Sequence, residues 1–377
     1  MTVDASAIVG RALVDPAGWP LASAGVDVTS LIGAAVRHRI LLLLGWNLRG
    51  AGRLHDSPPE FVETFQRAER AAVIEDIVRH TELVHVLEEL SAAGVRALLF
   101  KGAALAHTHY PAAYLRVRAD TDLLVPATDL PMLERVLGRL RYVHPTETSG
   151  DLVSYQSHFY KIDRHGIAHA FDVHWKISNL QVLADRIGWE ELWRGRVGVD
   201  ALGSSAVTAD DVHALLLALV HRAGHHPGSH NLLWIYDLHV LASRLRPEEM
   251  TQVQEMAAAR GLGQVAAEGL ALARDRFGNR AADALIDALR AHRGGGCQDV
   301  AILERGSWTQ ARVLRLDLDA LPNWWARGRL IREHLVPPAS YMRARYGVQS
   351  NVLLPGLYVW RALAGAPKWL RRRSADD

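Results

Sequence analysis

The sequence predicts an α+β protein, with a small α/β unit over residues 96–205 set between helical regions at 1–95 and 206–377. Three observations carry that reading. Before residue 95 the apolar residues recur at helical spacing. At "VRALLF" the texture changes to short apolar runs, stopped by glycine or opened by aspartate. From about residue 208 the helical pattern returns.

Each element has its own signal. "LIGAAVRHRILLLLGWNL" has apolar residues at helical spacing, and "PPEFVETFQRAERAAVIEDIVRHTELVHVLEELSAAG" is a long amphipathic helix ended by Gly94. "VRALLF" reads as a buried strand, "GAALAHTHY" as a short helix ending before Pro111, and "DTDLLV" as a second strand. "TDLPMLERVLGRL" is a helix with Thr128 or Asp129 as N-cap. "LVSYQSHFYKID" and "IAHAFDVHWKI" flank "RHG" and form a β-hairpin, since both are rich in strand formers and the turn holds a glycine. "TADDVHALLLALVHRAGHH", "HNLLWIYDLHVLASRL" and "PEEMTQVQEMAAARGLGQVAAEGLALARDRFG" are helical, Gly294–Gly296 marks a break, and two further segments rich in Trp and Arg follow. There is no internal repeat.

A chain of 377 residues suits two or three structural units. Hydrophobic content of 49% and charged content of 22% suit a soluble globular protein. Cys297 is the only cysteine, which excludes an intramolecular disulfide and fits a reducing compartment. No charged segment followed by an apolar one opens the chain, and no apolar run approaches the ~20 residues of a membrane span. The expectation is a cytoplasmic protein with no transmembrane segment. Charge is uneven: residues 321–377 hold ten Arg or Lys and three acids, so +7 there leaves −5 for the rest of a chain of net charge +2. Lysine is scarce, with Lys101, Lys161, Lys176 and Lys368 the only four. Three of them fall near the carboxylates discussed next. A compact ammonium suits a phosphate oxygen, although chance clustering explains them equally well.

Asp120 and Asp122 lie two apart at the mouth of a strand and therefore project side by side. Adjacent carboxylates repel unless a proton or cation lies between them. Asp172, inside the apolar strand "FDVHW", is the third acid, and strand alternation puts it on one face with His174 and Lys176. Mg²⁺ is commonly bound by one or two carboxylates and substrate phosphates. Gly102, between strand and helix, allows close approach of a phosphate to helix N-terminal amides, with Lys101 adding charge. This is equipment for two-metal phosphoryl or nucleotidyl transfer. Alone, D-x-D most often caps a turn or sits on a solvated edge. The combination is more specific.

"LLFKGAALAHTHYPAAYLRVRADTDLLV" resembles the L-K-G…R-x-x-x-D-x-D-L-L-V signature of a poorly characterised bacterial nucleotidyltransferase family within the DNA polymerase β-like superfamily. "FDVHW" matches its D-x-H-W strand and "WIYDLHVL" its W-x-x-D-x-x-x-L helix; the likeness runs from about 95 to 245 and more loosely to "PPASYMRARYG". The resemblance implies a small mixed β-sheet carrying three carboxylates, two Mg²⁺ ions, and transfer of NMP from an NTP, with ATP the expected one, to an acceptor. Asp120, Asp122 and Asp172 are then the metal ligands and catalytic residues. Lys101, Gly102, Ala103 and Arg116 handle the nucleotide, with Arg116 equally suited to pair with an aspartate. Ala103 stands where the superfamily usually has serine. The acceptor, on a small molecule, a peptide or a protein, is not named by these residues, and a nucleic acid is not expected.

Several residues keep two readings. His221 and His225, an i, i+4 pair in "HRAGHHPGSH", lack the partners of a recognised metal motif, so contact with substrate or solvation of a helix end is expected. Asp237 either faces the cleft with His174, Lys176 and His221 or pairs with a buried arginine. Trp324, Trp325, Trp360 and Trp369, interleaved with arginines, either pack as ordinary helices or meet bases or a membrane interface. The rival function is a catalytically degenerate nucleotide- or partner-binding regulator. A metal-dependent phosphohydrolase using the histidines is a further alternative.

Overall fold

The computed structural model describes residues 4–19, 27–144, 150–226, 228–278, 280–291 and 309–370, and of residues 281 and 365–370 the backbone alone. The expected break at Gly294–Gly296, Cys297 and the side chain of Trp369 lie outside these. In chain order the helices are α1 Ala5–Val14, α2 Val28–Arg37, α3 Leu41–Gly50, α4 Pro59–Ala92, α5 Lys101–Thr108, α6 Leu130–Arg139, α7 Gln181–Ala184, α8 Trp189–Arg194, α9 Asp211–His225, α10 Leu232–Arg244, α11 Pro247–Ala259, α12 Gly263–Phe277 and α13 Asp283–Ala291. Beyond residue 308 come α14 Gln310–Ala320, α15 Trp324–Leu335, α16 Ala339–Tyr346 and α17 Leu354–Leu370. The strands are β1 Leu98–Leu99, β2 Thr121–Leu124, β3 Gln156–Ile162, β4 Ala168–His174, β5 Arg196–Gly198 and β6 Val207–Ala209.

The fold is α+β, with one mixed sheet in the order β3-β4-β2-β1-β6-β5. β2 runs antiparallel to β1 and parallel to β4, and β3 and β4 form the expected hairpin. The β5–β6 hairpin, which joins β1 through a parallel pairing of Leu99 with Thr208, was not legible. Its three-residue strands are too short to show alternation, and β6 reads as the lead-in to α9.

Strand alternation divides the interior. Leu123, Val125, Phe159, Phe171 and Val173 point to one face of the sheet. There they pack against Leu83, Val86, Leu87 and Leu90 of α4 and Leu133, Val136 and Leu137 of α6. The other face carries the acids. Helices before and after the sheet share a second core, in which Val9 and Leu13 of α1, Leu43, Leu44 and Phe65 meet Leu216, Leu219, Leu233 and Leu270. α4 belongs to both cores, since Phe61 and Phe65 at its start enter the helical one. It crosses α3 at Gly45, where a Cβ would stand 2.2 Å from the Phe65 ring. Asp4, Asp27, Asp210 and Asn231 cap α1, α2, α9 and α10 by accepting a backbone N–H in the first turn. Among the described residues no single helix is long and apolar enough to cross a membrane. The bent pair α2–α3 is apolar enough, but apart from exposed Val36 its large apolar residues lie in or against the helical core.

α14 docks on α7 through the buried Asp317, whose Oδ1 accepts from the Gln181 backbone N–H at 2.7 Å. Burial pushes this carboxyl up to about 7, against the one backbone hydrogen bond that favours its charge. Because the folded state holds the proton more tightly than the unfolded chain, stability from this group is complete below about pH 4 and is lost as pH rises through 7. The expected result is a Tm that falls between pH 5 and 8 in the wild type, by about 2 °C per kcal/mol lost. In Asp317→Asn, which keeps the acceptor without the charge, thermal scans across the same range should show a smaller decline.

Candidate active site

The site forms where β2 and β4 lie side by side. Parallel register sets Asp122 opposite Asp172 and Leu124 opposite His174, so Asp122, Asp172 and His174 share one face. The antiparallel hairpin adds His158 opposite Asp172, and His158 Nδ1 lies 2.7 Å from Asp172 Oδ1. β1 passes through Phe100 into Lys101, which adopts φ +54 at the head of α5. A side chain in that left-handed region carries about 1–3 kcal/mol of strain, and such residues cluster at functional sites. Lys101 Nζ donates to Asp122 Oδ1 at 2.7 Å and lies 3.1 Å from His174 Nε2. His174 Nε2 is also 3.1 Å from Asp122 Oδ1, so the tautomer decides whether it accepts from Lys101 or donates to Asp122.

The charges follow from these contacts. Burial alone would raise the Asp122 carboxyl, but Lys101 and the His174 hydrogen bond outweigh it and hold it at about 2. Asp120 is raised to about 6 by burial and then by the charges of Asp122 and Asp172. His174 is lowered by burial and by Lys101, which favours the neutral ring. Ligand atoms of Asp122, Asp172 and His174 all come within 4.8 Å of one another. Two carboxylates and a neutral imidazole make a donor set that fits a divalent cation. The ammonium of Lys101 puts one positive charge against the same atoms.

Across a cavity of about 460 Å³ stands a wall from α9 and α10 with Arg39 at its edge. His221 and His225 stack at 4.9 Å, and His226 stacks on Trp234 at 3.8 Å. Burial and the nearby Lys101 lower all three imidazoles, His225 to about 3 and His226 to about 4, so these rings are neutral near pH 7. His221 Nδ1 and His225 Nε2 are shielded from solvent without a hydrogen-bond partner. An adjoining cavity of about 260 Å³ shares Lys101, Leu105 and Ala218 with the cleft but is lined mainly by apolar side chains.

Asp120, Asp122, Asp172, Lys101, Gly102, Arg116, His221 and Asp237 all line the large cleft. Other expectations need correction. The compact group of ligand atoms comprises Asp122, Asp172 and, unexpectedly, His174, while Asp120 precedes β2 and lines the cleft beside them. Arg116 is held by a bidentate pair with buried Asp237, at 2.9 and 2.7 Å, and Tyr110 Oη donates to the same carboxylate at 2.7 Å. Asp237 is therefore committed to a structural pair, which also occupies the guanidinium of Arg116. Gly102 lies against that guanidinium, where a Cβ would come within 3.2 Å of it. Ala103 is buried in the sheet-side core, leaving only its backbone for a phosphate. Lys176 lies beyond the end of β4, donates to Asp185 at 2.8 Å and covers the Tyr155 ring, outside the cleft. Lys161 pairs with Glu82, so of these three lysines only Lys101 reaches the site. The sequence reading missed His158, Gln156 and Arg39. The hairpin register alone would have found His158, because a turn closing at 163 and 167 pairs 158 with 172.

A mixed sheet that presents two carboxylates and an imidazole beside a helix-walled cleft is compatible with the nucleotidyltransferase class. A family model described as uncharacterised nucleotidyltransferase matches residues 24–278, and the chain belongs to that family. No curated protein matches it.

Proposed function

We propose that the chain is a metal-dependent enzyme that moves NMP from an NTP to a hydroxyl or similar acceptor on a small molecule, peptide or protein. The observation that carries this reading is the register pairing of Asp122 with Asp172 beside His174, at the floor of a cleft headed by Lys101 and α5. A bound Mg²⁺ or Mn²⁺ ion would be held by Asp122, Asp172 and His174 and would neutralise charge building on the α-phosphoryl oxygens. Asp120 completes the acidic rim, as the resemblance to the polymerase β-like superfamily implies. Lys101 exchanges its contact with Asp122 for a phosphate oxygen when the nucleotide enters. The acceptor oxygen forms its bond to the α-phosphorus as the bond to the bridging oxygen breaks, and pyrophosphate leaves. The acceptor proton passes to the Asp172 carboxylate, and His158, half exposed beside it, carries it to solvent. The neutral wall of His221 and His225 offers ring nitrogens to the acceptor. ATP is the NTP we expect, and the cytoplasm the compartment.

The test is transfer of label from each α-³²P-NTP, with Mg²⁺ or Mn²⁺, to the protein itself or to fractionated cell extract. Labelled product and released pyrophosphate, both absent with Asp120→Asn and Asp172→Asn, are expected. Nucleotide binding with no turnover under any acceptor would favour a regulatory binding protein.

A further inference from the structure

The helices after Ala320 carry an exposed apolar surface that the nucleotidyltransferase reading does not use. On α15, Trp324, Ile331 and Leu335 are spaced i, i+7 and i+11, one stripe of a helix, and all three are exposed. On α17, Val359, Trp360 and Leu363 are 60%, 62% and 68% exposed, and the spacing again selects one side. Tyr358 Oη donates to the Pro337 carbonyl at 2.7 Å, which ties α17 to the chain just past the end of α15. Packing of these tryptophans into a core, the simpler expectation from sequence, is corrected for Trp324, Trp325 and Trp360, each more than 60% exposed.

Charge identifies the occupant. Residues 321–370 contain a single acid, Glu333, which is buried and held by Arg329 and the Leu152 backbone N–H. Arg327, Arg332 and Arg345 are exposed, and the sequence continues after α17 as Arg371, Arg372 and Arg373. Exposed tryptophan and aliphatic residues flanked by arginine match the requirements of a headgroup–acyl boundary under anionic lipid. A nucleic acid would use the tryptophans but gains nothing from Ile331, Leu335, Val359 and Leu363. A second copy docked through this face would set arginine against arginine. α17 has 17 residues, about 26 Å of helix against a hydrocarbon core of about 30 Å, and carries Arg361 midway, so it is too short and too charged to cross a bilayer.

We propose that α15 and α17 form a peripheral docking face for an anionic membrane surface, which would bring the catalytic cleft to acceptors at or near lipid. The experiment is cosedimentation of the full chain with vesicles of phosphatidylcholine alone or with about 30% phosphatidylglycerol, in low and high salt. Binding to the anionic vesicles at low salt, weakened at least tenfold by neutral lipid or high salt, is expected. Trp324→Ser/Trp360→Ser and Arg327→Gln/Arg332→Gln should each weaken it at least tenfold while circular dichroism stays unchanged, since all four side chains are at the surface. Absence of binding to anionic vesicles, or binding that both variants retain, overturns the proposal. The readout needs no nucleotide, so it stands or falls apart from the transferase assay.

Discussion

Replacing Asp172 with asparagine is expected to lower metal-dependent nucleotidyl transfer by more than about 100-fold, beyond the 10–100-fold that loss of a group merely supporting a metal ligand costs. Asp172 is chosen over Asp122 because its side chain is 19% exposed and its protein partner, His158, sits at the surface. The substitution should therefore leave the fold intact. Asp122 is different: it is buried and holds Lys101 and His174, so its loss confounds chemistry with stability. His158→Ala separates ligation from proton transfer. It should retain metal binding, lower the maximal rate by less than the roughly 10²–10⁴-fold that loss of the general base itself costs, and move the pH–rate profile. Rates for the three proteins measured in Mn²⁺ and Mg²⁺ across pH provide the check.

Arg116→Met is expected to destabilise the protein by about 3–5 kcal/mol, the cost of removing one partner from a buried ion pair. Both side chains of the Arg116–Asp237 pair are 7% exposed, and Asp237 would keep only the Tyr110 hydroxyl. The pair ties the segment before β2 to α10, and both residues line the cleft. Its effect should reach function as well, because Arg116 also packs on Gly102 at the head of α5. Arg116→Lys should recover little, since an ammonium cannot reproduce two parallel hydrogen bonds. Arg116→Met/Asp237→Leu, which removes both charges, should be more stable than Arg116→Met alone. Denaturant unfolding of the three variants measures this. Equal stability of the single and double variants would mean that Asp237 finds another cation.

How far the sequence was legible varied with the kind of signal. The β3–β4 hairpin was readable because seven-residue strands and a glycine turn state their own pairing. That pairing, once drawn, also locates His158. The meeting of Asp122 with Asp172 was legible only as a demand, two costly buried acids needing a cation. That β2 and β4 are parallel neighbours is tertiary information. Lys176 failed because alternation was extended two residues past the point where β4 stops. Arg116 and Asp237, 121 residues apart in sequence, each had two chemically sound readings, and no local pattern tells a buried pair from two cleft groups. The exposed stripe on α15 is present in the sequence as i, i+7, i+11 spacing, but periodicity does not say whether a face meets a core or solvent.

The proposed chemistry requires a divalent cation among Asp122, Asp172 and His174. Titration of Mn²⁺ into the intact protein with a non-hydrolysable NTP analogue, followed by electron paramagnetic resonance, tests that most directly. Saturable binding that needs Asp172 and His174, and is lost in Asp172→Asn and His174→Ala, is the expected result. Binding of unchanged strength in both variants would contradict it.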